Sequence, residues 1–304
     1  MASLILIALA GFGASFVDGA LGMGFGVTST TLLLAVGLSP ALASASVHLA
    51  KLGTAAASGA AHARFGNVDW SGVRRVGIPG AVGAFIGATV LSNLSTKAAL
   101  PFTGTLLFIL GVYIVLRFVL GRAPRRKPGT PGLRLMIPLG LVGGFVDATG
   151  GGGWGPVTTP TLLADGRLSP ARVVGTVNTA EFIVALAASL GFLIGLGTAG
   201  IDLGIVVALL IGGVIAAPLA AWVVRFLNAR ILGVVVGCFI LLLNARLILM
   251  AVGAPPAAWW TCYALLVTMS ALAISFVVRV VRRDAADEGE TAPAAEQQLH
   301  DQRR

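Results

Sequence analysis

The chain has 304 residues, of which 57% are hydrophobic and only 11% charged, where a soluble domain carries about one quarter charged. A mean hydropathy of +0.94 excludes a water-facing surface, so length here limits the number of bilayer crossings, at about 20 residues each. The net charge of +9 sits in short loops beside apolar runs, the pattern that orients membrane proteins, and no basic face with interleaved aromatics offers itself to nucleic acid.

The first residues, MASLILIALAGFG, lack a positive leader region, so no cleaved signal is expected and the first apolar run belongs to the mature chain. Apolar runs follow in order at 4–36, 38–61, 76–93, 98–116, 135–164, 173–196, 203–224, 231–253 and 257–278. Most have the length of one crossing, but 4–36 and 135–164 are too long for one, and glycines interrupt each near its middle. The expected fold is an all-α integral membrane protein with about 7–9 hydrophobic helical segments, arranged as two repeats with glycine-broken helices. Residues 1–121 form the first repeat, 122–134 a basic linker, 135–253 the second repeat, 257–278 an additional helix and 279–304 a polar tail. The tail has the composition of a disordered, solvated end. Cys238 and Cys262 lie inside apolar runs and read as small buried hydrophobes, not as a disulfide or metal site.

The repeat is visible in the letters. FVDGALGMGFGVTSTTLLLA (16–35) aligns with FVDATGGGGWGPVTTPTLLA (145–164), with 10 of 20 positions identical. After one inserted residue, Ser39-Pro40-Ala41 meets Ser169-Pro170-Ala171, and further on Asp69 meets Asp202 and Lys97 meets Arg230. Duplicated halves are a common build for secondary transporters.

Positive charge suggests how the halves lie, because Lys and Arg favour cytoplasmic loops. The linker carries Arg122, Arg125, Arg126, Lys127 and Arg134, and the tail begins with Arg279, Arg282 and Arg283. Both belong inside. Five apolar runs separate them, so one must enter and return on the same side, and 135–164 is the obvious candidate. The same rule applied backwards makes 4–36 return as well and puts the N-terminus outside. All 21 Lys and Arg except Lys51, Lys97 and Arg246 then lie on the cytoplasmic side. The two repeats are inverted in this arrangement. Nine plain crossings, with the basic tail outside, are the competing arrangement.

The densest glycine segments are GALGMGFG (19–26) and TGGGGWG (149–155). Glycine at this density breaks a helix, and broken backbone survives at membrane depth only inside protein or beside a water-filled cavity. Val27-Thr28-Ser29-Thr30 and Val157-Thr158-Thr159 follow the breaks and read as starts of half-helices, whose free N–H groups and positive dipole ends suit an anion. The candidate binding residues are therefore Gly22, Gly24, Gly26, Thr28, Ser29, Gly151, Gly153, Gly155, Thr158 and Thr159, together with Lys51 and Asn178. Glycine can also serve only close helix packing, as at Gly83 and Gly87. No Gly-Lys-Ser/Thr follows either cluster, so nucleotide hydrolysis has no support.

Few ionisable groups interrupt the apolar runs: Asp18, Lys51, Asp147, Glu181 and Arg246, with His48 beside them. Each costs about 3 kcal/mol or more against lipid and is expected to face the interior. Asp18 and Asp147 are matched, each just ahead of a break, where Asp caps exposed N–H groups; proton coupling is the other reading. Lys51 and Glu181 share one repeat position with opposite charge. They can form a purely structural buried pair, or Lys51 can attract an anion while Glu181 carries a proton. His48 and Asn178 are also matched, one helical turn earlier. Arg246 can snorkel outward with no functional role.

The paired FVD-x-x-x-G-x-G-x-G segments, each followed by a Ser-Pro-Ala step, resemble the TauE/SafE family of sulfite and organosulfonate exporters over about residues 5–278. The resemblance implies a bacterial inner-membrane permease exporting sulfite, a sulfonate or a related anion, with the site at the two glycine segments. Lys51 departs from two-fold equivalence, since its counterpart is acidic. An anion channel and a proton-coupled carrier of another small solute, such as a carboxylate, are the other readings. No nucleophile with a placed base or metal-ligand set suggests an enzyme, and no cofactor is expected. The expected partners are the lipid bilayer and a small anion, not nucleic acid, with homo-oligomerisation left open.

Overall fold

A computed structural model describes residues 4–21, 24–121, 129–197, 202–223 and 229–301. Among these the chain is helical throughout, without strands: α1 Leu4–Leu21, α2 Phe25–Ala35, α3 Pro40–Arg64, α4 Trp70–Asn93, α5 Thr96–Leu120, α6 Leu133–Gly150, α7 Trp154–Asp165, α8 Pro170–Leu196, α9 Leu203–Val223, α10 Ala229–Ala251 and α11 Pro256–Asp301. Among the described residues, six helices are long and apolar enough to cross a membrane. The two over-long runs are each split at their glycines, into α1–α2 and α6–α7. At about 1.5 Å per residue, the 11 residues of α2 and 12 of α7 reach about halfway through a hydrocarbon core of about 30 Å. They are half-helices, with their first turns inside the protein.

Matched sequence makes matched helix starts. Ser39 and Ser169 accept from the N–H groups of Leu42 and Arg172 at the heads of α3 and α8, and the prolines after them need no N–H there. Asp69 accepts from Ser71 N–H at the head of α4, and its counterpart Asp202 from Gly204 N–H at the head of α9. Each cap satisfies one of the orphan donors of a first turn.

The halves interlock reciprocally. α4 packs on α6 and α8, its counterpart α9 packs on α1 and α3, and α3–α8 and α5–α10 pair each helix with its own equivalent. That is the contact pattern of a two-fold relation, in which i meets j and j meets i. Small residues permit the closest crossings. A Cβ on Gly87 would stand 2.8 Å from Phe145 O in α6, and one on Gly11 2.5 Å from Leu209 O in α9. The packing reading of Gly83 and Gly87 thus describes the α4–α6 seam.

One apolar core surrounds Trp154 between α4, α6 and α8, and a second joins Phe25 and Val27 to α1, α3, α5, α9 and α10. α11 lies outside, against α10 and α5, with 6% of its apolar window buried. Its helix runs on to Asp301, through the polar segment expected to be a solvated end. Of the linker, residues 122–128 lie outside the described residues, and so does Gly22.

Candidate functional site

The site grows from the two helix breaks. Gly24 has φ 122 and Gly151 φ 68, left-handed backbone that glycine adopts without strain. Past each break the half-helix starts on an aspartate seven or fewer residues upstream. Asp18 Oδ1 accepts from Phe25 N–H at 3.1 Å. Asp147 Oδ1 accepts from Gly153 N–H at 2.8 Å and Trp154 N–H at 3.0 Å.

The breaks touch each other. A Cβ on Gly26 would lie 2.6 Å from Gly152 Cα, 2.7 Å from Gly151 O and 2.9 Å from Lys51 Nζ. Thr30 Oγ1 donates to Gly151 O at 3.0 Å. The first turn of α2 therefore rests directly on the unwound backbone ahead of α7, a contact that only side-chain-free residues allow.

Lys51, on α3, closes the arrangement. Its Nζ lies 3.0 Å from Asp147 Oδ1 and 2.8 Å from Glu181 Oε1 on α8. Asp147 Oδ2 meets His48 Nε2 at 3.0 Å, and His48 Nδ1 faces Ser44 O at 2.8 Å. The Ser44 hydroxyl donates to Ala148 O at 2.5 Å. His48 thus has a carbonyl at one ring nitrogen and a carboxylate at the other, and both hold the ring in place. Trp154, fully buried, fixes this side of the site by donating from Nε1 to Val177 O at 3.0 Å.

A narrow cleft opens at this junction, lined by Asp18, Gly24, Gly26, Lys51, Gly153, Gly155, Asn178 and Glu181, with Phe25, Val27 and Pro156. Its free volume is about 10 Å³, about what one water needs. Among the described residues, the N–H groups of Gly26, Val27 and Gly155 have no hydrogen-bond partner, and Lys51 keeps one of its three ammonium hydrogens beyond those used by Asp147 and Glu181. All four residues line the cleft.

Eight residues singled out in the sequence thus stand on the cleft wall: Asp18, Gly24, Gly26, Lys51, Gly153, Gly155, Asn178 and Glu181. Gly151, Thr28, Ser29, Thr158 and Thr159 do not line it. Gly151 is covered by Thr30, and the Thr158 hydroxyl turns back to Trp154 O in its own helix. Asn178 donates to Ser58 Oγ at 3.2 Å, while its repeat counterpart His48 lies behind Asp147, away from the cleft. The equivalence of His48 and Asn178 in sequence does not become a contact. Phe25, Val27 and Pro156 were not singled out; Val27 and Pro156 carry a signal only in being the N3 residues of the two half-helices, where N–H groups are orphaned or, for proline, missing.

The fold and the cleft define a multi-pass helical membrane protein with two broken helices meeting over a buried ion network, the build of a membrane transporter. A family model for "Sulfite exporter TauE/SafE" matches residues 7–247. "Probable membrane transporter protein YtnM" of Bacillus subtilis (strain 168) is 51% identical over 248 residues, covering 81% of this chain and 83% of that protein. No solved structure matches. The chain belongs to the TauE/SafE family of membrane transporters.

Proposed function

We propose that the chain is a secondary transporter exporting sulfite or a closely related sulfur oxyanion, and that the anion sits where the two half-helices meet. The supporting observation is that Gly26, Val27 and Gly155, whose N–H groups have no hydrogen-bond partner among the described residues, line one cleft together with Lys51. Two helix N-termini add their positive dipole ends at the same place. Oxyanions suit such a seat, because several oxygens can accept from divergent amide donors at once. The family name supplies sulfite as the first compound to test.

In this reading the two repeats, 1–121 and 135–253, are inverted about the axis implied by their reciprocal packing, with the extra helix at 257–278. The linker and tail face the cytoplasm of a bacterial inner membrane, as the bias of Lys and Arg favours. Each half-helix then ends at one membrane surface, and its N-terminus faces the other half near mid-depth. Alternating access follows if one half rocks against the other around the fixed seat.

The test is a thermal-shift screen of the purified protein against sulfite, thiosulfate, alkyl sulfonates and carboxylates, since a ligand of the folded state raises its apparent stability. The reading expects stabilisation by sulfite or another sulfur oxyanion and none by carboxylates. Stabilisation by carboxylates alone contradicts it.

A further inference from the structure

We propose that Glu181 is the proton carrier of this transporter: its carboxylate occupies the place beside Lys51 that the substrate anion takes, and a proton on Glu181 is what frees that place. The proposal rests on the anion seat proposed above and adds how its occupancy is coupled.

Two carboxylates hold Lys51, and they are held very differently. Asp147 is fully buried and also receives His48 Nε2 and the N–H groups of Gly153 and Trp154. Moving it would uncap α7 and orphan four donors together. Glu181 has Lys51 as its one polar partner among the described residues, and its side chain is 21% exposed, on the cleft wall. Of the two, Glu181 is the one that can leave.

Space and charge both require it to leave. A cleft with room for about one water admits an oxyanion only if a wall group withdraws. Charge is already short of balance there. Lys51 faces Glu181 from α3, Asp18 faces the same cleft from α1, and Asp147 lies beyond Lys51 on α6. The cleft wall contributed by α2 and α7 carries no ionisable side chain, and α4 brings only Arg74 and Arg75, neither of which lines the cleft. His48 stands behind Asp147, 3.0 Å from its Oδ2. Another negative charge added to Asp18 and Glu181 in a desolvated site is strongly opposed. A proton taken by Glu181 from the water side cancels its charge, weakens its claim on Lys51 and frees a second ammonium hydrogen, and the space beside it, for the anion.

The cycle balances simply. One proton bonds to Glu181 Oε as one anion binds Lys51, and both leave on the opposite side as Glu181 returns to Lys51. The empty carrier reorients with the Lys51–Glu181 pair closed. Proton and anion move in the same direction, one to one, and for a monoanion the cycle moves no net charge.

The test is exchange of radiolabelled sulfite across proteoliposomes at equal internal and external pH, from pH 6 to pH 9, for the wild type, Glu181→Gln and Glu181→Ala. Sulfite's own titration is common to all three proteins, so differences between profiles belong to Glu181. The wild type should lose apparent affinity with rising pH, relative to both variants, with a limiting slope of about tenfold per pH unit for one linked proton. Superimposable profiles overturn the proposal. So does a complete loss of exchange in both variants when their melting temperatures match the wild type, because Glu181 is then part of the seat and not its competitor. No exchange by the wild type at any pH overturns the underlying anion reading, and the proposal with it.

Discussion

Lys51 and Glu181, which occupy one and the same position of the two repeats, meet at 2.8 Å. A residue that touches its own equivalent marks the axis relating the halves, so the ion network and the cleft lie on the line where the repeats meet. The asymmetry of the pair, a cation from one half and an anion from the other, is also what the two halves do not share. Asp147 is enclosed by Lys51 and His48 from α3, whereas Asp18, its equivalent, faces a cleft lined by Glu181 and Asn178 from α8.

Lys51 is therefore predicted to be the most sensitive charged position. Lys51→Ala leaves Asp147 and Glu181 without their common cation, and breaking a buried pair from one side costs about 3–5 kcal/mol. Glu181→Ala leaves Lys51 on Asp147 and should cost much less. Melting temperatures of the two variants in detergent check the order, and equal melting contradicts it.

The two break aspartates should also differ. Asp147 accepts from two backbone N–H groups, Lys51 and His48, while Asp18 accepts from one N–H. Asp147→Asn replaces an acceptor with a donor against a donor-rich shell and should destabilise the protein far more than Asp18→Asn. Thermal denaturation of the two amide variants reads the difference.

Trp154 is a wedge under the site. A Cβ on Gly80 would stand 2.6 Å from its ring, and its Nε1 reaches Val177 O. Trp154→Ala opens a cavity and should cost about 3–5 kcal/mol. Trp154→Phe, which keeps most of the volume and loses one hydrogen bond, should lose markedly less. Both are checked by melting temperature and by the yield of monodisperse protein.

Membrane orientation gives an independent prediction. In a background lacking Cys238 and Cys262, single cysteines at Thr130 and Gly166 should react with an impermeant maleimide only from the cytoplasmic side. Single cysteines at Ser95 and Ala254 should react only from outside. Labelling of Thr130 and Ser95 from the same side contradicts the inverted arrangement.

Much of this was legible in the chain itself, for definite reasons. Composition dictated membrane helices, and glycine density at 19–26 and 149–155 located both breaks because few other residues leave a helix so readily at membrane depth. Ser39-Pro40 and Ser169-Pro170 read directly as helix starts, since caps are local. The approach of Lys51 to Glu181 could be anticipated from their shared repeat position. Asp147 as a second partner of Lys51 could not, because it depends on α6 lying beside α3 across half the chain. Trp154 beneath Gly80 was hidden for the same reason. Thr28, Ser29, Thr158 and Thr159 follow the breaks in sequence but are not among the residues that line the cleft.

Contact between the two half-helices at the anion seat is the central claim, and Gly26 tests it most directly. A Cβ there meets Gly152 Cα and Lys51 Nζ, whereas one on Gly13 meets nothing within 4 Å. Equilibrium binding of radiolabelled sulfite should be retained by Gly13→Ala and lost by Gly26→Ala, with both proteins inserted and folded. Sulfite binding by folded Gly26→Ala at wild-type affinity would contradict the account.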